Sequence, residues 1–544
     1  MTRASEGEAA AVAGPIATRP SMIGRFFSKR PRRACFRAWT LAWIPILALA
    51  ASPYDADFDA VMARYQLPGL AVGVIENGKV TYTRTAGELS AGLGQPVTPE
   101  TLFQIGSNTK AMTTALLARL VQDGKLRWDD PVAKFLPTLR MYDPWVTRHL
   151  LLRDLLVHNS GLREGAGDLM LWPEPNRYKR ADIIAGLAYL KPQASFRSAY
   201  AYDNILYIVA GEVAAAAGGA PYEDLMRREV FEPLALKSCR VGEPNRQQTG
   251  NVALPHTRAH GHNLLIDPGA APGAAITSAA AGGISCSLND MLSWALNWLD
   301  PSPSQRAWLG QEQRDALWTA RTPMPISPRQ RAWDHSHFYA YGFGWRLTDV
   351  DAVWSVSHTG SLGGMYSALS LLPDLRSGFV MLTNGEGSEA RTVLSEVLLK
   401  HFTAPGAGRS AAEYADELAG ESAAQLRPDA LSTASRQPVT PAQMPAWLGI
   451  WRDPWFGEVI LCGRGQKVRF NASKSPLLAG TVLRVGERYL VSWDNDNVDA
   501  EAWLRLAPGK SARAARLTMS KVDPQADFSF DFEDLSFTRV RACE

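Results

Sequence analysis

In the stretch Phe103-Gln104-Ile105-Gly106-Ser107-Asn108-Thr109-Lys110, a serine and a lysine stand three residues apart where a helical pattern begins. That spacing puts both side chains on one face of the helix. At a helix start, free N–H groups and the positive end of the dipole favour an anion, such as the oxyanion that develops when a serine attacks a carbonyl. A lysine shielded from water there has its pKa lowered and becomes able to accept the serine proton. Among the lysines of the chain, only Lys110 has a serine three positions before it. Ser107 and Lys110 are therefore the candidate nucleophile and base of an acyl-transfer reaction.

Two later stretches supply the other groups such chemistry needs. Tyr202-Asp203-Asn204 sets a phenol two residues from a carboxamide, and His358-Thr359-Gly360-Ser361 stands just before a strand-like run. The order Ser-x-x-Lys, Tyr-x-Asn, His-Thr-Gly resembles the serine penicillin-recognising enzymes, which comprise class C β-lactamases, D-alanyl-D-alanine carboxypeptidases, D-aminopeptidases and β-lactamase-like esterases. Leu155-Leu156-Val157-His158-Asn159-Ser160-Gly161-Leu162 is similar to the Leu-Leu-x-His-x-Ser-Gly-Leu segment of that group. Ala281-Gly282-Gly283-Ile284, followed by Asn289-Asp290, is similar to its glycine pair before an Asp-led helix.

The resemblance implies a role for each residue. Ser107 forms an acyl-enzyme, Lys110 is its base or electrostatic activator, and Tyr202 relays the proton to the leaving group and helps to activate water. Asn204 binds the acyl-side amide of the substrate. His358, Thr359 and Gly360 border the cleft, and the backbone N–H of Ser361 joins that of Ser107 as an oxyanion hole. Typical β-lactamases carry lysine where His358 stands; a histidine is only partly charged at neutral pH, so a substrate carboxylate is attracted less. The expected protein is a secreted serine hydrolase of small esters or D-amino-acid peptides and amides, with a class C-type β-lactamase or D-alanyl-D-alanine carboxypeptidase as the alternative. A non-catalytic penicillin-binding-like receptor is the alternative of another class, and the joint presence of Ser107, Lys110, Tyr202 and Asn204 argues against it. The chain has no Gly-x-Ser-x-Gly, which argues against an α/β-hydrolase. No cofactor is implied, and no metal is expected at His256, His260 and His262, which have no carboxylate or cysteine at ligand spacing.

The elements that must position these groups are legible in outline. Met112, Leu116, Leu117, Leu120 and Val121 keep a helical period as far as Asp123-Gly124, where glycine closes the helix. A helix over 55–65 precedes strands at 70–75 and 79–83, joined at the hairpin signal Asn77-Gly78. The chain then stays helical and loop-rich to about residue 330, with the loops 163–180 and 323–340 placed at the cleft walls. Strand character returns at 341–345, 353–356, 367–372 and 378–383, and a helix over 388–402 closes the unit. Strands at both ends of the unit imply one sheet built from both. This is an α/β (α+β) fold of the β-lactamase/transpeptidase-like kind, an antiparallel sheet flanked by helices plus an all-helical subdomain.

At 544 residues the chain exceeds one ordinary core. Residues 1–52 read as a signal peptide, because Arg25, Lys29, Arg30, Arg32, Arg33 and Arg37 precede an apolar run over 38–51 that Pro45 interrupts. That run is short for a transmembrane helix, so no stable span is expected after cleavage, and the protein is expected in the periplasm or secreted. Met22 offers an alternative start. Residues 53–403 are the hydrolase, and 404–443, rich in Ala, Gly, Ser and Pro, read as a linker with room for one short helix. From 444 to 544, eight short strands at near-regular spacing, opening on Trp447-Leu448-Gly449-Ile450-Trp451, suggest a small antiparallel β-barrel. It resembles the lipocalin-like domain behind some β-lactamase-like serine peptidases, one of them self-compartmentalising, so a homo-oligomer is compatible. Because all three motifs precede residue 365, the linker is expected to leave the Ser107 site independent of this barrel.

Residues 1–50 hold eight basic and two acidic residues, so the rest carries 49 basic against 52 acidic ones, net −3. Nothing there suggests a nucleic-acid partner, which leaves a small molecule or peptide as the substrate. Cys462 and Cys543 either pair in an oxidising compartment or stay as buried thiols, and the same alternatives hold for Cys239 and Cys286.

Overall fold

Along Gly69–Glu76 alternate side chains enter two different buried clusters, Leu70, Val72 and Val74 on one side and Ala71 and Ile75 on the other. A strand apolar on both faces must lie inside a sheet covered on both sides. In the computed structural model, this strand is the second of an eight-stranded antiparallel sheet. The strands run across it in the order Lys79–Gly87, Gly69–Glu76, Ser377–Thr383, Met365–Leu372, Val353–Leu362, Arg346–Val350, Tyr339–Tyr341, Thr322–Pro323. The structure describes residues 52–543 except 260, 267–275, 426–432, 497, 499 and 508–514. The expected signal segment and Met22 lie outside the described residues.

Helices Asp55–Tyr65 and Ser388–Thr403 cover one face of the sheet, and Leu288–Leu299 covers the other, with Leu292 seated against Gly73. The stretch read as a linker contains the helix Ala411–Gln425, whose Ala411, Tyr414, Ala415 and Leu418 join the cluster on the first face. It is part of the core rather than a spacer. The hairpin turn at Asn77-Gly78 has both residues at positive φ, 50° and 77°, as a two-residue turn between twisted strands requires. Two expectations need correcting. Of residues 341–345 only Tyr341 is in a strand, and 342–345 are the turn between Tyr339–Tyr341 and Arg346–Val350, closed by Gly342 N–H donating to Trp345 O at 2.8 Å. His358-Thr359-Gly360 lies inside the strand Val353–Leu362, paired on both sides, rather than before one. Its polar residues hide the strand from a hydrophobicity reading.

The helix Thr109–Gln122 runs through the helical block between Ile205–Gly218, Ala279–Gly282 and Gln311–Leu317. Met112, Leu116, Leu117 and Leu120 are fully buried on it, and Gly124 ends it at φ 71°. Disulfides join Cys239 to Cys286 and Cys462 to Cys543. Among the described residues no single helix is long and apolar enough to cross a membrane.

The eight strands from Gly449–Asp453 to Ser536–Arg541 pair each with the next, and the last closes on the first, making an up-and-down barrel. Trp451, Val459, Leu461, Phe470, Val482, Leu517 and Phe537 are buried, as befits a small barrel filled by its own side chains. Contrary to the expectation of a separate module, this barrel docks on the hydrolase part. Tyr178 O–H donates to Phe456 O at 2.6 Å, Lys474 pairs with Asp182 at 2.9 Å, and Arg163 pairs with Glu533 at 3.2 Å.

The sheet meets the helical block where Gly360 passes Ile105. A Cβ on Gly360 would stand 2.0 Å from Ile105 O and 2.5 Å from Ser367 Oγ. Ser367 Oγ donates to Ile105 O at 2.7 Å and accepts from Asn108 Nδ2 at 2.7 Å, which fixes the turn carrying Ser107 to the sheet. Gly360→Ala is expected to lower stability by about 1–3 kcal/mol in urea unfolding. It should also reduce ester hydrolysis roughly tenfold or more, because the nucleophile turn is pushed off its mark. Wild-type values in both measurements would show that this approach does not constrain the site.

Candidate active site

Ser107 sits in a 3-10 turn, Gly106–Asn108, immediately before the α-helix Thr109–Gln122. Gly106 has φ 51°, and a Cβ on it would lie 2.7 Å from Ser361 N, so the Ser361 N–H stands beside the Ser107 turn. The two motifs expected to share an oxyanion hole are thus adjacent.

Lys110 is the centre of the polar network. Its Nζ lies 3.0 Å from Ser107 Oγ, 2.8 Å from Asn204 Oδ1 and 2.9 Å from Ala281 O, and the side chain is wholly buried. Burial lowers its pKa from 10.5 to about 7, with Arg346 pushing the same way and Asp168 and Asp203 opposing. A neutral amine has two protons and one lone pair. Asn204 and Ala281 offer only acceptors, so they take both protons and leave the lone pair to Ser107 O–H. Geometry and charge therefore agree on Lys110 as a base.

Tyr202 is buried and its hydroxyl hydrogen-bonds Ser107. Burial raises its pKa, with only partial relief from that bond and from Arg346. It is thus a neutral phenol, able to pass a proton but not to start as the base. The Lys110 Nζ lies 4.7 Å from its ring centroid and 5.2 Å from that of Tyr207. Asn204 is turned toward Lys110 and donates its Nδ2 to Asp168 Oδ2 at 2.8 Å. Expected to hold substrate, it is placed first of all to orient the lysine. The Leu155–Leu162 segment serves the same loop: His158 Nδ1 accepts Asp203 N–H at 3.0 Å, and Ser160 Oγ donates to Asp203 Oδ2 at 3.4 Å.

His358 is a correction. It is 1% exposed, and burial, then Arg346 and Lys110, hold its pKa well below 6.5, so it is neutral rather than partly charged. Its Nδ1 is 2.7 Å from Thr359 O, so that nitrogen carries the proton and Nε2 accepts from Tyr341 O–H at 2.8 Å. The nearby cation is the half-buried Arg346 of the adjacent strand, whose Nη1 donates to Thr359 Oγ1 at 2.8 Å. Burial disfavours that guanidinium charge, but an arginine titrates so far above neutral pH that it stays charged there. Arg391 holds the far end, its Nη1 donating to Gly360 O at 2.7 Å and to Ser361 Oγ at 2.8 Å. Ser361 is exposed and Thr359 half-buried.

Every residue singled out in the three motifs is therefore brought to one place. Asp168, Tyr341, Arg346 and Arg391 were missed by sequence reasoning, and only the expectation that 163–180 walls the site pointed near Asp168. Of the histidine cluster, His260 lies outside the described residues. His256 is buried and occupied by the backbone, Nε2 accepting Ala91 N–H at 3.1 Å and Nδ1 facing Asn384 O at 2.9 Å.

The profile of the Beta-lactamase family matches residues 54–401. The chain belongs to that family. It is 28% identical over 366 residues to an unguisins hydrolase of Aspergillus campestris, a match covering 64% of this chain and 65% of that protein. It is 28% identical to penicillin-binding protein 4 of Amycolatopsis lactamdurans, covering 60% of this chain and 84% of the relative. The octameric penicillin-binding protein homologue of Pyrococcus abyssi superposes with a TM-score of 0.58 at 18% identity, over 89% of this chain and 99% of that one. That last likeness concerns the fold, and its extent takes in the barrel as well as the family domain.

The lowered pKa fixes the sign of a pH dependence. Below about 7 Lys110 is an ammonium ion with no lone pair for Ser107, and above it the free amine prevails. The kcat/KM for ester hydrolysis should rise with pH through a midpoint near 7 and then level off. A midpoint near the ordinary lysine value would mean that the amine is solvated in the working enzyme.

Proposed function

We propose that this protein is a serine hydrolase that works through an acyl-enzyme on Ser107. Its substrates are small esters or D-amino-acid-containing peptides and amides. The observation that carries the reading is the buried Lys110 amine, 3.0 Å from Ser107 Oγ with both its protons committed elsewhere. Ser107 attacks the carbonyl as Lys110 takes its proton, and the backbone N–H groups of Ser107 and Ser361 stabilise the oxyanion. Tyr202 passes the proton to the leaving group and then helps water attack the acyl-enzyme. Such an arrangement has no use in a receptor that only binds.

Two observations favour esters and peptides over β-lactams. The position where β-lactamases carry lysine holds a neutral His358, and the nearby cation Arg346 is bound to Thr359 from the adjacent strand. A β-lactam also keeps its leaving group tethered after acylation, so its release needs a strongly placed base for water, and a phenol with raised pKa is a weak one. Penicillins and cephalosporins then act as slow acylating inhibitors. The two disulfides, together with the basic and apolar N-terminal run, support a periplasmic or secreted location. The octameric assembly of the Pyrococcus abyssi homologue is compatible with a homo-oligomer here.

The test is turnover of nitrocefin beside p-nitrophenyl butyrate and a D-alanyl anilide, in the wild type and in Ser107→Ala. Ester or amide turnover that disappears in the folded variant is the expected result. A nitrocefin kcat on the order of 10² s⁻¹ with negligible ester and amide turnover would make the protein a β-lactamase instead.

A further inference from the structure

Between strands Arg516–Lys521 and Ser536–Arg541 the barrel sends out residues 522–535, which pack on the 163–169 loop of the hydrolase part. Asp531 is fully buried and accepts Gly167 N–H at 2.6 Å and Leu169 N–H at 3.0 Å, gripping the backbone on both sides of Asp168. Ser529 Oγ donates to Asp168 Oδ2 at 2.9 Å. Phe528 stands edge-on to Tyr202 with ring centroids 5.8 Å apart. Its carbonyl passes so close to Gly165 that a Cβ there would be 2.6 Å away, and Gly165 N–H donates to Tyr202 O at 2.9 Å. Arg163 ties the same loop to Asp534 at 3.4 Å.

These contacts end on the network already described. The Asp168 oxygen that accepts from Ser529 also accepts from Asn204 Nδ2, and Asn204 Oδ1 accepts from Lys110 Nζ. We propose that Ser529 of the barrel is a positioning residue for Lys110, acting through Asp168 and Asn204, so that the barrel completes the active site. The inference rests on Lys110 being the base that activates Ser107. Its physical content is orientation: an asparagine amide between two fixed partners cannot rotate, and a lysine amine held by that amide keeps its lone pair on the serine.

The sign of the electrostatic consequence can be worked out from the groups that face one another. Asp168 and Asp203 favour the Lys110 ammonium, Arg346 opposes it, Tyr202 and Tyr207 lie against it, and His158 and His358 are held neutral. Burial holds the Asp168 pKa well above the ordinary carboxylate value, with Asp531 and Asp203 pushing the same way, while the Asn204 and Ser529 donors favour its carboxylate form. Removing the Ser529 hydroxyl makes that carboxylate less favourable, and the Lys110 ammonium less favourable with it. A loop merely loosened so that water enters would act in the opposite direction, since a solvated lysine returns toward its ordinary pKa.

The experiment compares the full chain as wild type, Ser529→Ala and Ser529→Thr. It follows p-nitrophenyl butyrate kinetics across the acid limb, labelling of Ser107 by a fluorophosphonate, and the melting temperature. Ser529→Ala should lower kcat on the alkaline plateau roughly tenfold with little change in KM, the scale of one hydrogen bond lost from a buried network. The midpoint of the acid limb should move below that of the wild type, and Ser529→Thr should restore both. An unchanged plateau and midpoint, an upward shift of the midpoint, or no recovery with threonine would each overturn the proposal. If the wild type itself is not labelled, the Ser107 reading fails and this one with it. A labelled wild type beside an unaffected Ser529→Ala sinks only the role of Ser529.

Discussion

A lysine amine shut away from water is hard to keep charged, and much of the structure around Ser107 follows from how that constraint is met. The shift of Lys110 from 10.5 to about 7 is a net penalty on the order of 5 kcal/mol on the ammonium form, left after Asp168 and Asp203 have offset part of the cost of burial. A single hydrogen bond to a charged group returns about 1.5–3 kcal/mol. Burial set against two neighbouring acids thus leaves the charged and neutral forms close in energy at neutral pH, with two fixed acceptors holding the amine in place. That balance is what a base needs, and it exists only while Asn204, Ala281 and Ser107 stay where they are. Each of the three belongs to a different element: the start of Ile205–Gly218, the short helix Ala279–Gly282 and the turn before Thr109–Gln122.

The serine, in turn, depends on the sheet. Its turn is held by Ser367 and Asn108 against Ile105, and the strand Val353–Leu362 can come that close only because residue 360 has no side chain. Gly344 makes a similar approach on the other side, where a Cβ would stand 2.7 Å from Lys110 O. The nucleophile and base are thus clamped between sheet and helical block at glycines. Their separation is set by backbone packing as well as by helical spacing.

Much of this was legible in the sequence. Residue type and order singled out Ser107, Lys110, Tyr202, Asn204 and the stretch from His358 to Ser361, which the fold brings to one place, and short strands at near-regular spacing pointed to the barrel, whose strands lie within a few residues of their expected places. The misses share a cause. Arg346 and Asp168 act through partners far away in sequence, 13 residues to Thr359 and 36 to Asn204, and no local pattern marks a lone charged residue as part of a site. The polar stretch around His358 concealed a strand, because pairing on both sides rather than apolar alternation holds it. The helix allowed for in the alanine-rich linker gave no sign of its docking, since Tyr414 and Leu418 find their burial only in the folded unit.

The charge arrangement beside the oxyanion strand also has one consistent logic. A lysine at position 358 would place a second ammonium near Lys110 and beside the guanidinium of Arg346, and in a dry site like charges at such range are strongly unfavourable. With Arg346 already charged and surrounded by tyrosine oxygens, the neighbouring position is best filled by a group that can be neutral and still donate and accept. Histidine does this in one tautomer, giving Nδ1–H to the Thr359 carbonyl and taking the Tyr341 hydroxyl on Nε2. The cation of this corner therefore stands on the adjacent strand Arg346–Val350 rather than at position 358.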